Sequence, residues 1–424
     1  MNDAAPAPEL FTWEFATDPY PAYAWLREHA PVHRTRLPSG VEAWLVTRYA
    51  DAKQALADQR LSKNPVHHAE PAHAKGKTGI PGERKAELMT HLLNIDPPDH
   101  TRLRRLVSKA FTPRRVAEFA PRVQELTDRL IDTIFENQHS AEKGEADLIH
   151  EFAFPLPIYA ICDMLGVPRE DQDDFRDWAG MMIRHGGGPR GGVARSVKKM
   201  RGYLAELIHR KREDLGQGGD DDLISGLIRA GDHGEHLTEN EAAAMAFILL
   251  FAGFETTVNL IGNGVYALLR NPGQRERLQV SLAAGESELL ETGVEELLRY
   301  DGPVELATWR FATQPLSIGG QDIAAGDPVL VVLAAADRDP ERFADPDTLD
   351  LSRRDNQHLG YGHGIHYCLG APLARLEGQT ALATLLRRMP DLRLAGDPDD
   401  LRWRGGLIMR GLRTLPVEFT PRRI

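Results

Sequence analysis

The chain has 424 residues, of which 42% are hydrophobic and 27% charged, a composition typical of globular proteins rather than of fibrous or disordered ones. A formal net charge of −11 makes general binding to nucleic acid or to an anionic membrane unfavourable, because the summed field repels both. The two cysteines, Cys162 and Cys368, are far apart in the chain, which excludes a disulfide framework and favours the reducing cytoplasm as the compartment.

The N-terminal segment MNDAAPAPELFTWEFATDPYP is acidic and lacks the basic stretch and apolar core of a secretion signal. No Pro/Ser-rich or Gly/Ser-rich linker divides the sequence, so residues 1–424 are expected to form a single domain. Helix-period segments dominate and predict a mainly α fold with a minor β part. Strand-like stretches are limited to EAWLVTRY near the start, PVLVVLAAA at 328–336 and parts of the last thirty or so residues.

Two segments have the composition of loops. Residues 64–84 are rich in His, Pro and Gly, and residues 184–192 contain five glycines and a proline. Substrate access through these loops is one interpretation, and surface loops without a function are the other.

The longest helix is predicted to begin at a capping box of Thr238 and Glu241 and to end at about Arg270, before Pro272. Residues 242–254 are apolar on all sides, as in a helix buried at the centre of a large domain. This run of 13 residues is shorter than the roughly 20 that cross a bilayer, so no membrane span is predicted.

Three residues that destabilise a buried helix, Gly253, Glu255 and Thr256, lie within or next to this apolar run. A glycine costs about 1 kcal/mol in a helix interior, and a buried carboxylate costs more. Function therefore explains the cluster better than stability does. Thr256 taken alone could instead donate to the carbonyl of Ala252, as threonines in helices often do.

The segment LGYGHGIHYCLGAPLARLE, residues 359–377, joins a glycine-rich loop to a strongly periodic helix. We expect Cys368 to lie in the first turn of that helix, where unpaired N–H groups and the helix dipole lower the pKa of the thiol. Gly362, Gly364 and Gly370 let the backbone approach a flat cofactor. A thiolate on haem iron favours O–O cleavage, so a single cysteine suffices for oxygen activation.

The stretch YGHGIHYCLG, residues 361–370, resembles the haem loop of the cytochrome P-450 superfamily, F-G-x-G-x-H-x-C-x-G, at every position but the first. The resemblance runs from DPYPAYAWLRE to GLRTLPVEF, with the motifs in the same order. It implies the cytochrome P-450 fold and a haem b (iron protoporphyrin IX) whose iron is bound by Cys368. Tyr361 replaces the usual phenylalanine, so its hydroxyl must find a partner near the haem or reach solvent, and redox tuning stays open.

The resemblance implies a monooxygenase that inserts one oxygen atom from O₂ into a C–H bond or a C=C bond. In this interpretation Gly253 leaves room for dioxygen, Thr256 hydrogen-bonds it and Glu255 relays protons, so Glu255 and Thr256 are the catalytic residues. The implied cofactor-binding residues are Ala252, Gly253, Tyr361, Gly362, Gly370 and Cys368, with His100, Arg104, Arg310 and His366 as donors to the haem propionates.

Electrons would come from NAD(P)H through separate partners, ferredoxin and ferredoxin reductase or a flavodoxin, because the sequence contains no flavin or ferredoxin segment. The basic residues Arg102, Arg105, Lys109, Arg114 and Arg115 indicate a solvated helix face. A docking surface for an acidic ferredoxin is the alternative.

Glu296 and Arg299 form an ExxR pair on a helix that ends before Pro303. An exposed pair of this kind contributes only about 0.2–0.5 kcal/mol. The resemblance makes it part of a structural ion network, with Arg353 as the predicted third member.

DPPDHTRLRRLV, AGFETTVNLIGNGVYALL and the haem loop most resemble enzymes that tailor polyketides and macrolides in antibiotic biosynthesis, while relatives with similar motifs oxidise steroids, secosteroids and terpenoids. A lipophilic small molecule is the expected substrate. The predicted pocket residues are Met89, Leu92, Leu93, Ala252, Val304, Ala307 and Ile408. A haem-thiolate peroxygenase or isomerase, and a helical binding protein without haem, are the remaining alternatives; the acid–alcohol pair weighs against the former.

Overall fold

The computed structural model describes residues 7–67, 91–138, 143–183, 192–214, 222–232 and 235–421, which form a mainly helical fold with small sheets. This confirms the predicted mainly α fold with a minor β part. The helices are α1 (Trp13–Thr17), α2 (Tyr20–His29), α3 (Tyr49–Ala57), α4 (Asp99–Ala110), α5 (Pro113–Glu118), α6 (Ala120–Glu136), α7 (Pro155–Leu165), α8 (Gln172–Ile183), α9 (Gly192–Asp214), α10 (Leu223–Arg229), α11 (Glu239–Arg270), α12 (Pro272–Ala283), α13 (Glu288–Asp301), α14 (Leu333–Ala336) and α15 (Ala371–Arg388).

The strands of the described residues are short, and the largest sheet takes strands from distant parts of the chain. Its order is β1-β2-β10-β7-β3, with β2 and β10 parallel and the other neighbours antiparallel. The strands are β1 (Val32–Arg36), β2 (Glu42–Val46), β3 (Leu61–Ser62), β4 (Gly144–Asp147), β5 (Gly231–Asp232), β6 (Glu235–His236), β7 (Arg310–Ala312), β8 (Leu316–Ile318), β9 (Gln321–Ile323), β10 (Pro328–Val331), β11 (Arg393–Leu394) and β12 (Pro416–Phe419).

The strand predictions were right in position and too long in extent. EAWLVTRY forms β2, but its end belongs to α3, which begins at Tyr49. The segment 328–336 is a strand only as far as Val331, and Leu333–Ala336 is a helical turn. Three consecutive alanines have a high helix propensity, which explains why the chain leaves the sheet here. The last residues contribute β12, as expected.

Helix α11 is the central helix of the fold. Both hydrogen bonds of the predicted capping box are present, and the helix ends at Arg270 as predicted. It packs against α7, α9, α13 and α15. Length and composition alone would suit a membrane span, but 72% of its most apolar window is buried inside the protein, which is the environment of a core helix.

Both predicted loops fall mostly outside the described residues. Of residues 64–84 only 64–67 are described, and Pro65–His67 forms a short 3₁₀ turn. Of residues 184–192 only Gly192 is described, and it begins α9. Their proposed role in substrate access stays a prediction.

Candidate active site

Cys368 lies in a loop whose backbone requires glycine. Gly362 and Gly364 have φ values of +74° and +75°, in the left-handed region that disfavours residues with side chains. At Gly364 a methyl group would also lie 3.2 Å from the backbone of Ala57. The Cys368 N–H donates to the carbonyl of Tyr361 at 2.9 Å, which closes the loop and fixes the direction of the thiol.

Helix α15 begins at Ala371, with Gly370 as its N-cap, so the prediction that Cys368 lies in the first turn is wrong. Burial raises the pKa of the Cys368 thiol above its usual value, although the N–H groups of Gly370 and Ala371 and the nearby Arg104 act in the opposite direction. The predicted lowering of this pKa is therefore also wrong, because desolvation outweighs the helix terminus. A positively charged group bound at the sulfur would oppose the effect of burial and favour the thiolate.

A cluster of cationic and imidazole side chains lies beside the loop. The rings of His100 and His366 are 4.3 Å apart. Burial and the nearby Lys63, His100 and Arg310 lower the pKa of His366 to about 2. His100 Nε2 and His366 Nδ1 are buried and have no hydrogen-bond partner among the described residues. Unpaired buried donors next to Lys63 and Arg310 suit an anionic group.

Helix α4 brings two of the predicted propionate donors to this cluster. His100 and Arg104 are four residues apart on one face, as the spacing predicts. His100 contacts the His366 ring, and Arg104 is close enough to Cys368 for each charge to affect the pKa of the other. Burial lowers the pKa of Arg104, and a Cys368 thiolate opposes that shift.

Lys63 belongs to this cluster and was missed from the sequence. It is 2% exposed, and its Nζ donates to the carbonyls of Thr308 and Trp309 at 2.9 and 2.7 Å. Arg310, which follows Trp309 in the chain, is also buried, and burial lowers its pKa to about 10. Lys63 follows the two-residue strand β3. No local sequence pattern indicates that its hydrogen-bond partners lie about 245 residues later in the chain.

The other basic residues of this region are less uniformly solvated than predicted. Arg102 pairs with Glu241 at the start of α11, and Arg115 donates to the carbonyl of Ala110 at 2.9 Å. Arg114 pairs with Glu118 at 2.8 Å on the surface. Arg105 and Lys109 are exposed on α4, so the prediction of a solvated face holds for these two.

The middle of α11 has an accessible strip on an otherwise buried helix. Ala252 is exposed and Thr256 half-buried, whereas Leu250 and Phe254 are almost fully buried. Thr256 Oγ1 donates to the Ala252 carbonyl at 2.8 Å, which is the helical alternative that the sequence left open. The strip therefore presents a small side chain and a hydroxyl to the space beside the helix.

Glu255 and Gly253 lie next to this strip. Glu255 is 5% exposed and close enough to Arg404 for their charges to interact. A methyl group at Gly253 would meet only Ile161, at an ordinary contact distance of 3.7 Å. Packing within the protein therefore does not require glycine here, which favours a ligand as the reason for it.

Tyr361 is buried beside the cysteine loop. Its hydroxyl has no partner among the described residues, so the expected partner near the haem stays a prediction. The ring packs under the guanidinium of Arg375, with Cζ 4.6 Å from the ring centre, and Arg375 pairs with Glu295 at 2.6 and 2.8 Å. The cation–π contact stabilises the ring and leaves the hydroxyl unsatisfied.

The ExxR pair is fully buried. Arg299 donates to both carboxylate oxygens of Glu296 at 2.8 and 2.9 Å, and also to the carbonyls of Asp337 and Pro346. Arg353, the predicted third partner, donates to Glu296 at 3.1 and 3.2 Å. The network joins α13 to the segment between α14 and the cysteine loop, which positions that loop.

The structure brings two of the predicted pocket residues, Val304 and Ile408, together. Glu305 N–H donates to the carbonyl of Ile408 at 2.8 Å, which brings Ile408 next to Val304. Ala307 is buried and donates to Val331, and Leu92 contacts His366 through its backbone. Leu93 is half-buried and Ala252 exposed, while Met89 lies outside the described residues. One pocket shared by these residues stays a prediction.

Comparisons with known proteins identify the family to which the chain belongs. The cytochrome P450 family profile matches residues 161–390. The chain is 47% identical over 407 residues to the cytochrome P450 monooxygenase PikC of Streptomyces venezuelae, covering 96% of this chain and 92% of PikC. It is 41% identical over 422 residues to the 6-deoxyerythronolide B hydroxylase of Saccharopolyspora erythraea, covering 97% of this chain and 98% of that enzyme.

A solved structure agrees with these relatives. The Bacillus subtilis 168 cytochrome P450 PksS of the bacillaene polyketide synthase superposes with a TM-score of 0.85 at 37% identity, covering 97% of this chain and 99% of PksS. These identities and coverages show that the similarity includes the sequence as well as the fold, over nearly the whole chain. The chain therefore belongs to the cytochrome P450 family.

Proposed function

We propose that this cytochrome P450 monooxygenase oxidises a macrolide or another polyketide, with haem b held by the Cys368 thiolate and by the cluster of Lys63, His100, Arg310 and His366. Enzymes of the family use a haem iron, O₂ and electrons from NAD(P)H that redox partners deliver. The observation that carries the site assignment is the convergence of unpaired buried donors beside a single accessible thiol.

The described residues fit haem in three respects. Two propionate groups would satisfy the nitrogens of His100 and His366 that lack partners, with Arg310 as a charge-assisted donor. The described residues contain no group of three or more His, Cys, Asp or Glu side chains that could hold a metal ion, so an iron at Cys368 needs its other ligands from a cofactor. The glycines of the loop also leave room for a planar ring.

When bound, haem supplies the binding and reductive activation of dioxygen. Two electrons and two protons are then needed to convert O₂ and a C–H bond into an alcohol and water. The Thr256 hydroxyl donates its hydrogen to the Ala252 carbonyl. Its oxygen keeps two acceptor sites, which can orient a protonated group or a water in the accessible strip. Glu255, the adjacent residue, is shielded from solvent and is the group that we propose relays protons.

We expect Thr256→Ala to lower the product formed per NAD(P)H consumed by about tenfold or more and to raise hydrogen peroxide release, because proton delivery is lost while electron transfer continues. Thr257→Ala is the matched control, since Thr257 makes the same helical bond, to the carbonyl of Gly253 at 3.0 Å. Product, peroxide and NAD(P)H are measured together. Equal losses in the two variants would show that the hydroxyl has no role beyond the helix.

The similarity to a hydroxylase of 6-deoxyerythronolide B and to a P450 of a polyketide synthase supports the substrate class. Titration with macrolides and other polyketides is expected to convert the haem from low to high spin, because a lipophilic substrate displaces water from the apolar pocket. Steroids, secosteroids and terpenoids form the comparison set. A spin shift with these compounds and none with macrolides would reject the proposed substrate class.

Ferredoxin with its reductase, or a flavodoxin, is the proposed redox partner, and the cytoplasm is the proposed compartment. The exposed Arg105 and Lys109 on α4 support an acidic partner, because the same helix carries Arg104 next to Cys368. Two cysteines without a disulfide suit the reducing cytoplasm.

A further inference from the structure

Two segments that are far apart in the sequence, residues 303–306 and 408–410, form a short antiparallel ladder. The N–H groups of Glu305 and Arg410 donate across the ladder to backbone carbonyls, at 2.8 and 3.0 Å. So short a pair of strands is weak by itself, and its position depends on what packs against it.

The first segment of the ladder lies between two contacts to the candidate active site. Before this segment, the carbonyl of Asp301 accepts a hydrogen bond from Asn263 of α11 at 3.1 Å. After it, the carbonyl of Thr308 accepts one from Lys63, a member of the cluster of cationic and imidazole side chains, at 2.9 Å. The ladder therefore borders the space between α11 and that cluster.

The two faces of the ladder have different surroundings. Val304 and Met409 are paired across the ladder. Because side chains alternate along a strand, these two lie on one face, and Glu305 and Arg410 lie on the other. Val304 and Met409 are half-buried, whereas Glu305 and Arg410 are 7% and 4% exposed. The Val304–Met409 face is therefore the apolar one that a ligand in the adjoining space can contact.

The opposite face is bonded to the start of the chain through two tyrosines of α2. Tyr23 donates to the carboxylate of Glu305 in the first segment. Tyr20 donates to Asp301 Oδ1 at 2.6 Å, and Arg410 in the second segment donates to the same oxygen at 2.6 Å. Burial raises the pKa of Tyr23 well above its usual value, so its hydroxyl keeps the proton that it donates. Each segment is thus bonded to α2, either directly or through one shared carboxylate.

Stability alone does not explain polar side chains at this interface. Asp301, Glu305 and Arg410 are almost fully buried, and burying charges is costly even when they are paired. Apolar residues of similar size would pack α2 against the ladder at least as stably. A fully bonded polar network, in contrast, fixes one arrangement where apolar contacts allow several.

We propose that Tyr20 and Tyr23 of α2 hold the ladder, and with it Val304 and Met409, in one position, and thereby determine which atom of a bound substrate is oxidised. This inference rests on the proposed function, because a monooxygenase attacks the atom that its pocket holds nearest to the reacting oxygen. Tyr20 and Tyr23 are positioning residues, which act through the ladder rather than by contacting the substrate.

The double variant Tyr20→Phe/Tyr23→Phe tests the proposal with the least damage to the fold. It removes only the two hydroxyls and keeps the contacts of the rings. The Tyr20 ring lies under the guanidinium of Arg338, 3.4 Å from its centre, and the Tyr23 ring packs edge-on against Phe15 at 5.4 Å. The variant is therefore expected to fold and to bind haem.

The first test measures binding and does not depend on the substrate. Imidazole and clotrimazole both bind haem iron through a nitrogen, but only clotrimazole has aryl rings that extend to a pocket wall. We expect the double variant of the holoenzyme to bind clotrimazole about tenfold more weakly and imidazole with unchanged affinity, because two buried hydrogen bonds that hold the wall are lost. Titration of the Soret band gives both affinities.

Tyr159→Phe is the matched control for these titrations. The Tyr159 hydroxyl also donates to a carboxylate, that of Asp173 at 2.8 Å, but it joins α7 to α8. This variant is expected to change neither affinity. Unchanged clotrimazole binding in the double variant, or an equal loss with imidazole, would overturn the proposed positioning.

Hydrogen exchange of the holoenzyme shows whether the ladder itself is loosened. The N–H groups of Glu305 and Arg410 are expected to exchange about tenfold faster in the double variant, because the ladder opens more often. The N–H groups in the middle of α11 serve as the internal reference and are expected to keep their rates. Unchanged exchange in the ladder would show that the two hydroxyls do not hold it.

Oxidation of 6-deoxyerythronolide B, after which one of the relatives is named, measures the effect on selectivity. The double variant is expected to change the ratio of the isomeric alcohols by about fivefold or more, because a shift of the wall reorients the substrate. The same products in the same ratio would overturn the proposal and leave the proposed function intact. If the unaltered enzyme neither binds nor oxidises macrolides while clotrimazole binding and hydrogen exchange change as expected, the substrate class is wrong and the positioning role is supported.

Discussion

Cys368→Ser is expected to abolish the red-shifted Soret band that the reduced enzyme shows with carbon monoxide. The band depends on a thiolate, and a serine oxygen is neither as readily ionised nor as polarizable. Burial already raises the pKa of the thiol, so the less acidic hydroxyl has still less tendency to become an anion at this position. The difference spectrum of reduced protein with and without carbon monoxide measures the effect directly.

The other cysteine provides the control for this experiment. Cys162 is fully buried in the apolar core on α7, and burial raises its pKa well above the usual value. Cys162→Ala is expected to keep the band and to lose only some stability from the small cavity. A red-shifted band that survives Cys368→Ser, or that is missing from the unaltered protein, would contradict the assignment of Cys368 as the haem ligand.

Arg299→Ala is expected to lower the free energy of unfolding by about 3–5 kcal/mol, because it leaves the Glu296 carboxylate buried with less compensation. The Glu296 and Arg299 side chains are both 0% exposed, and Arg299 also donates to the backbone carbonyls of Asp337 and Pro346. Arg299→Lys keeps the charge but cannot make the same set of bonds, so an intermediate loss is expected. Urea denaturation followed by circular dichroism gives the values.

Arg354→Ala is the matched control for the buried pair. Arg354 pairs with Glu288 at 2.9 Å, but the two side chains are 82% and 76% exposed. An exposed pair of this kind contributes at most about 1 kcal/mol. Similar losses in Arg299→Ala and Arg354→Ala would mean that burial adds nothing to the ExxR network.

The elements that local sequence determines were predicted well. Thr238 and Glu241 mark the start of α11 because a capping box is formed within four residues.

Predictions that depend on distant segments are less certain. The single-domain organisation of residues 1–424 stays a prediction. The segment 328–336 was predicted as one strand because its apolar residues fit both a strand and a helix, and only the pairing of β10 with β2 and β7 decides where the strand ends.

The cysteine loop could be predicted because its glycines and its cysteine lie within ten residues of each other. The pKa of Cys368 could not be predicted in the same way, since burial depends on the whole fold. The burial of the Tyr361 side chain depends on the whole fold in the same way. Residues close together in the sequence show which groups belong to the site. The burial and charges around those groups depend on segments that are distant in the sequence.

Lys63 and Arg404 were missed because their partners are far away in the sequence. Lys63 donates to Thr308 and Trp309, residues 245 and 246 positions later. Arg404, in the segment before β12, is close enough to Glu255 for their charges to interact. Lysine and arginine are mostly exposed in proteins, so the sequence around a buried one does not indicate that it is buried.

The parallel pairing of β2 with β10 has a consequence for how the chain acquires its structure. Trp44 lies opposite Val329 and Val46 opposite Val331, so this pair of strands cannot form during synthesis until most of the chain has left the ribosome. Closing so long a loop is entropically costly and slow. The hairpin of β1 and β2 can form early, but the edge of β2 that faces β10 stays unpaired until β10 is made, and an unpaired edge can pair with other chains.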